Sequence, residues 1–220
     1  MSPRKSDPGT REALIEVAAR VLAQEGPQAL SARRVATEAG KSTMGVYTHF
    51  GSMRGLVREI VYEGFARLQG HMTSMPDTDD PVADIAVLCR AYRHNALANP
   101  HLYAVMFGGM TLAGFSLSEH DRQHGRYTLS NVVGCARRCL DAGRFNPADA
   151  GLIAHQMWIA THGLVTLELG NYFVAPWDVE RCFEHQLVGL MISVGDTREA
   201  AVRSVALSHE RFQAHLPAAG

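Results

Sequence analysis

Residues 31–56 read SARRVATEAGKSTMGVYTHFGSMRGL, and the architecture of the chain follows from this stretch. Ser31 can cap a helix whose buried face is Val35, Ala36 and Ala39, with Leu30 and Val35 placed as a hydrophobic staple across its start. Gly40 ends that helix, and Ser42 caps a second one that buries Val46 and Phe50 one turn apart. Two short helices around a glycine turn make a helix-turn-helix pattern with little inside it for chemistry. Gly51 and Ser52 then break and recap the chain for a long helix carrying Leu56, Ile60, Val61, Phe65 and Leu68 to about Ser74. At ~1.5 Å per residue this helix is about 34 Å long, enough to connect two domains rigidly.

On a 3.6-residue wheel with Val46 and Phe50 inward, Lys41, Met44, Gly45, Tyr47 and Thr48 point outward and Thr43 and His49 lie on the flanks. That face is small and polar, as a helix entering a DNA major groove requires, because short side chains let the backbone approach the base edges. Gly45 inside a helix costs ~1 kcal/mol against alanine, which fits a close approach to something outside. Arg33 and Arg34 occupy a first helical turn, where positive charge opposes the helix dipole, so a phosphate backbone is expected to compensate them. Arg54, in the first turn of the long helix, offers a second phosphate contact.

Upstream, residues 1–9 read as a loose basic arm with Arg4, Lys5, Pro3, Pro8 and Gly9. Thr10 can cap a first helix with Leu14, Val17, Ala18, Val21 and Leu22 on its buried face, stopped by Gly26-Pro27. Downstream, MPDTDDP at 75–81 is polar, acidic and bracketed by prolines, and marks the expected domain boundary. Beyond it helices are expected at about 82–98, 101–110, 118–142, 147–170, 177–194 and 197–214, and strand-like alternation is nowhere sustained. The expected fold is all-α: arm 1–9, helix-turn-helix domain 10–56, connecting helix 57–75 and a helical ligand-binding and dimerisation domain 76–220.

Of the 220 residues 46% are hydrophobic, with a net charge of -1. Residues 1–60 hold nine Arg/Lys against six Asp/Glu, whereas 61–220 hold twelve against sixteen. A basic head on an acidic body is the direction expected of a nucleic-acid module joined to a different kind of domain. No apolar run reaches membrane-spanning length, and MSPRKSDPG lacks the apolar core of a signal peptide, so no membrane association and a cytoplasmic location are expected. Cys89, Cys135, Cys139 and Cys182 contain no CxxC pair and read as buried free thiols, with Cys135 and Cys139 four apart in a helical pattern.

An enzyme is not expected. Nothing supplies a nucleophile with its base, a paired-carboxylate helix or a phosphate loop, and His162 and Glu168 fall on different helix faces. No cofactor or metal is expected either. His120 and His124 stand at i, i+4 beside Glu119 and Asp121, and His155 and His162 at i, i+7, but two ligands do not make a tetrahedral site.

Residues 10–65 resemble the N-terminal domain of TetR-type transcriptional repressors, with a first helix ending in EG and then S-x-x-x-V-A-x-x-A-G-x-S-x-x-x-V-Y-x-H-F-x-S-x-x-x-L. Ser31, Val35, Ala36, Ala39, Gly40, Ser42, Val46, Tyr47, His49, Phe50, Ser52 and Leu56 fall on that pattern without a gap. The resemblance implies a homodimer placing two such units in successive major grooves of a partly palindromic operator. It assigns base reading to Thr43, Met44, Gly45 and Thr48, and phosphate positioning to Arg33, Lys41, Tyr47 and His49. The family usually has a phosphate-holding lysine after the residue matching Ser52. Met53 stands there, and Arg54 is the candidate substitute.

The helices near 147–170 and 177–194 are apolar on more than one face, and a second cover is expected for them, another subunit packed as a four-helix interface. This agrees with the family, whose last two long helices usually dimerise. The string W-x-x-x-H-G-L-V-x-L-E from Trp158 to Glu168 resembles a C-terminal domain named for its Trp, His and Gly, and NPHLYAVMFG at 99–108 is similar to its matching earlier segment. Trp158 and His162 have two readings, core packing with a satisfied imidazole or part of a ligand cavity. Cavity candidates are Tyr103, Met106, Phe107, Met110, His155, Trp158 and His162. The expected function is a homodimeric regulator, in the first place a repressor, released from its operator by a small, mostly apolar ligand. The alternative is a constitutive DNA-binding regulator without a ligand.

Overall fold

The structure, a computed structural model, describes residues 8–107 and 118–216. Eleven α-helices follow one another among the described residues: α1 (Pro8–Glu25), α2 (Ala32–Glu38), α3 (Thr43–Phe50), α4 (Met53–Thr73), α5 (Pro81–Ala98), α6 (Pro100–Phe107), α7 (Glu119–Gln123), α8 (Arg126–Asp141), α9 (Ala150–Leu169), α10 (Val179–Ser193) and α11 (Arg198–His215). No strand occurs among the described residues, so the all-α class holds. Most of the expected helices appear within a few residues of their expected ends.

Some expectations need correction. α1 begins at Pro8, so Thr10 lies inside its first turn and does not cap it. A proline at a helix start gives up no bond, because the amide there has no intrahelical partner. Of the expected arm, residues 8 and 9 are therefore helical and residues 1–7 lie outside the described residues. The helix expected over 118–142 is two, α7 and α8, separated at His124 and Gly125. Gly125 sits directly against the Phe65 ring, which leaves no room for a Cβ, and the chain turns there instead of continuing. The last three residues of the helix expected at 101–110 lie outside the described residues.

Chain contacts define two compact units, Met1–Arg67 with Asn99–Gly125, and Leu68–Ala98 with Arg126–Gly220. The division falls elsewhere than the expected boundary after residue 75. It lies within α4, and α6 and α7 join the unit of the helix-turn-helix. α6 runs along α1, its Met106 occupies the space left by Gly64, and Phe107 meets Phe65 edge-on at 5.8 Å. This explains why α1 buries Ile15 and Ala19 as well as Leu14, Ala18, Val21 and Leu22, whereas Val17 is only half-buried. Arg11 binds Glu59 and Glu63, and Arg67 binds Glu63, Glu16 and Asn99, so α1 and the first part of α4 are cross-linked by charge.

The acidic segment at 75–81 is pinned within the second unit. Thr78 donates its amide and hydroxyl to Asp84, both at 2.9 Å, and the Asp80 carboxylate accepts from the Val82 and Ala83 amides, capping α5. Arg138 and Arg211 bind Asp84 at 2.9 and 2.6 Å, and Arg144 binds Asp80 and Asp196. α5 is the axis of this unit and packs against α8, α9 and α11. Its burial nearly all round, from Val82 through Ala96, follows from that surrounding. Cys89, Cys135 and Cys139 are buried free thiols, whereas Cys182 is free but only half-buried, and burial pushes the Cys89 thiol up to about 11.

Candidate DNA-binding surface

The head is built by caps. The Ser31 hydroxyl accepts from the Arg34 amide at 3.2 Å to start α2. Its end is a Schellman turn. The Lys41 amide returns to the Ala36 carbonyl at 2.8 Å and the Gly40 amide to that of Thr37 at 3.1 Å, which requires Gly40 at φ 63°. Ser42 then starts α3 by accepting from the Gly45 amide at 3.1 Å. Val46 and Phe50 are buried with Val35 and Ala36, while Leu30 closes the entry to α2.

The outer face of α3 agrees with the wheel. Lys41, Thr43, Met44, Tyr47 and Thr48 are exposed, with Met44 at 73% and Tyr47 at 48% of their surface, and Gly45 and His49 are half-buried. A Met and a Tyr left this open on a folded helix of two turns are surface that a partner can cover. Around Gly45 a Cβ would meet only the Ser42 hydroxyl at 3.6 Å, so no internal contact demands a glycine there. The side chains of Lys41 and Arg33 form no hydrogen bond or ion pair among the described residues. Arg54 is exposed at the start of α4, where the Ser52 hydroxyl accepts from the Gly55 amide at 3.0 Å.

Arg34 departs from the expectation that an external phosphate compensates it. Its guanidinium spans Glu25 at 2.5 and 2.8 Å and Glu38 at 2.7 Å, and Arg20 also binds Glu38. Hydrogen bonds to Glu25 and then Glu38 raise the Arg34 pKa and hold both carboxylates below their usual range. The charge is therefore balanced inside the head, where it fastens α2 to the end of α1. Arg33, one residue earlier, is exposed and its side chain forms no such ion pair among the described residues.

The cavity candidates divide between the two units. Tyr103 and Met106 are buried in the first unit, and Phe107 lies 5.1 Å from the Tyr103 ring. His155, Trp158 and His162 belong to α9 of the second unit. Met110 lies outside the described residues. His155 is exposed, with Nδ1 2.7 Å from the Gly151 carbonyl. Trp158 and His162 meet at a residue that periodicity did not single out: the Tyr92 hydroxyl lies 3.0 Å from His162 Nδ1 and accepts from the Trp158 indole at 3.4 Å. Burial lowers the His162 pKa, which favours a neutral imidazole with a fixed hydrogen bond. The satisfied-imidazole reading of the pair describes this arrangement, and Tyr92 was hidden because its partners lie some seventy positions away.

One group among the described residues has ligand atoms close enough for a metal: Glu180, Glu184 and His209, within 4.8 Å of one another. Both carboxylates already hold arginines, Glu184 through two bonds to Arg90 and Glu180 through one to Arg93. A cation there would have to displace those guanidinium groups.

Residues 14–60 match the family model described as bacterial regulatory proteins, tetR family, and residues 85–190 match that described as tetracyclin repressor-like, C-terminal domain. No curated protein matches the chain. Among solved structures, a protein of unknown function from Rhodococcus sp. RHA1 is 24% identical with a TM-score of 0.71, covering 89% of this chain and 100% of its own. The TetR-family regulator PfmR from Thermus thermophilus is 20% identical with a TM-score of 0.65, covering 84% and 99%. RolR in complex with resorcinol is 18% identical with a TM-score of 0.59, covering 90% and 93%. These likenesses are of fold.

Proposed function

Because the chain belongs to the TetR family of transcriptional regulators, we propose that it is a homodimeric repressor that grips a partly palindromic operator with two copies of α3. The single observation that carries this reading is the solvent-facing side of α3. Thr43, Met44, Gly45 and Thr48 form a low, mixed surface suited to base edges and thymine methyls. Arg33, Lys41, Tyr47, His49 and Arg54 flank it as phosphate contacts. Arg54 takes the role for which Met53 offers no charge.

Pairing of two copies rests on α9 and α10. Leu152, Ile159 and Leu167 are exposed at i, i+7 and i+15 on α9, with Gly163 between them, and α10 presents Gly189 with half-buried Val188 and Ile192. Apolar residues repeated along one exposed helix face are the usual mark of a covered surface.

Release by a small, mostly apolar molecule is supported by fold: RolR, a protein of similar architecture, holds the small aromatic resorcinol. Such a ligand acts only through a difference in affinity between the DNA-bound and free states. A constitutive regulator is the second reading, favoured by the way Tyr92, Trp158 and His162 satisfy one another's hydrogen bonds. Selection of bound fragments from genomic DNA, followed by footprinting, tests the operator. A footprint with two related half-sites is expected, and binding without site preference at every salt concentration would overturn the reading. Small aromatic and aliphatic compounds titrated into the footprinted complex separate the two forms: release supports the repressor with a ligand, and uniform failure the constitutive one.

A further inference from the structure

The segment between α9 and α10 holds the densest exposed apolar surface of the second unit. Tyr172, Val174 and Trp177 are open to solvent at 73%, 67% and 68%. Chains that expose such side chains on a loose loop can fold them away, but this loop is held at both roots. Asn171 sits at φ 57° in a helix-ending turn in which the Tyr172 amide returns to the Leu167 carbonyl at 3.0 Å and the Asn171 amide to that of Glu168 at 3.0 Å. At the other end the Trp177 amide bonds the Val174 carbonyl, and Asp178 caps α10 by accepting from the Glu180 amide at 3.1 Å. A single guanidinium fixes the two roots together: Arg93 binds Glu168 at 2.7 and 2.8 Å and Glu180 at 2.5 Å. The loop is thus ordered with its large side chains turned to water.

We propose that the 172–177 loop is a strap that packs on the second copy of the chain and widens the dimer interface beyond α9 and α10. This rests on the homodimer proposed above. The occupant follows from continuity and area. The strap joins the two helices that carry the exposed stripe, and Leu167, the last stripe residue, accepts the hydrogen bond that positions Tyr172. With ~150–250 Å² for each large aromatic, the strap offers about 400 Å² and the α9 stripe about 300 Å² more. Together they approach the ~800 Å² per partner of a standard specific interface, which neither reaches alone. Tyr and Trp are also the residue types that dominate binding energy at such surfaces, and a pre-ordered loop loses little freedom on binding.

The test is sedimentation over a range of concentrations for the full chain, Ile159→Glu, and the double variant Tyr172→Ala with Trp177→Ala. Both replaced strap residues are exposed, and circular dichroism checks that the double variant keeps its helix content. The expected result is a dimeric parent chain and a strap variant whose dimer dissociates at least about tenfold more readily. A parent chain that stays monomeric at all concentrations overturns the homodimer, and the strap with it. A dimeric parent weakened by Ile159→Glu but untouched by the double substitution overturns the strap alone and gives the loop to a different protein.

Discussion

Arg33 and Arg34 are adjacent, carry the same charge and have opposite surroundings. Arg34 turns back to Glu25 and Glu38, whereas Arg33 has no ion pair among the described residues. Replacing each by alanine should separate stability from binding. Arg34→Ala should lower the melting temperature slightly and leave the salt dependence of operator binding unchanged, because its charge is already neutralised. Arg33→Ala should leave melting unchanged, weaken binding evenly across operator sequences and reduce the slope of log K against log salt by about one. Titrations at several salt concentrations read both, and equal slopes for the parent and Arg33→Ala would remove Arg33 from the phosphate contacts. Tyr47, half-exposed on the outer face of α3, belongs to the same argument. Tyr47→Ala should weaken operator binding with no change in thermal unfolding, and an unaltered gel-shift titration counts against its role.

At the scale of elements the decisive contacts join helices far apart in sequence. Gly125 lies on the Phe65 ring, so Gly125→Ala forces either the ring or the start of α8 aside. The expected cost is about 2 kcal/mol, typical of inserting a methyl into a filled site, and is measured by denaturant unfolding. A stability equal to the parent's would show that the helix break has another origin. Asp84 gives a pH-dependent counterpart. Burial works to raise its pKa, but the Thr78 amide, Arg211, the Thr78 hydroxyl and Arg138 outweigh it and leave the carboxyl below its usual range. A carboxylate depressed in the folded state adds stability that is complete above its unfolded pKa of about 4 and is lost as pH falls through the lower folded value. Asp84→Asn should therefore destabilise the chain by about 2–3 kcal/mol at neutral pH and flatten the loss of stability below about pH 4. An acid-unfolding curve parallel to the parent's would exclude that role. These two sites also mark the limit of what the sequence discloses. Ser31, Gly40, Ser42, Val46 and Phe50 act within a few residues of one another, so spacing alone specified the head and its outer face. The acidic segment reads as a domain boundary because Arg138 and Arg144, which pair with its Asp77 and Asp80, come from the region around the end of α8, far along the chain. In the same way, α6 read as part of the body because its place along α1 depends on Gly64 and Phe65 receiving Met106 and Phe107.

For the whole molecule, the proposed function depends on two heads acting as one. A single α3 is only eight residues long and buries Val46 and Phe50, which limits the base edges it can read, and specific affinity then depends on tethering a second copy at high effective concentration. The tether proposed here is the apolar stripe of Leu152, Ile159 and Leu167, which lies in the unit that does not contain α3. A charge placed in that stripe should therefore reach DNA binding without touching the head. Ile159→Glu buries one carboxylate on each side of a two-fold interface, where neither has a partner, and this opposes association strongly. Because Ile159 is exposed in the single chain, the substitution should leave the helix content of each protomer unchanged. The variant should sediment as a monomer and bind a two-half-site operator about 10²–10⁴-fold more weakly, while its affinity for an isolated half-site stays that of the parent. Parallel titrations of the two DNAs decide it: an equal loss on both would mean that the substitution damages the head, and no loss on either would mean that one copy suffices.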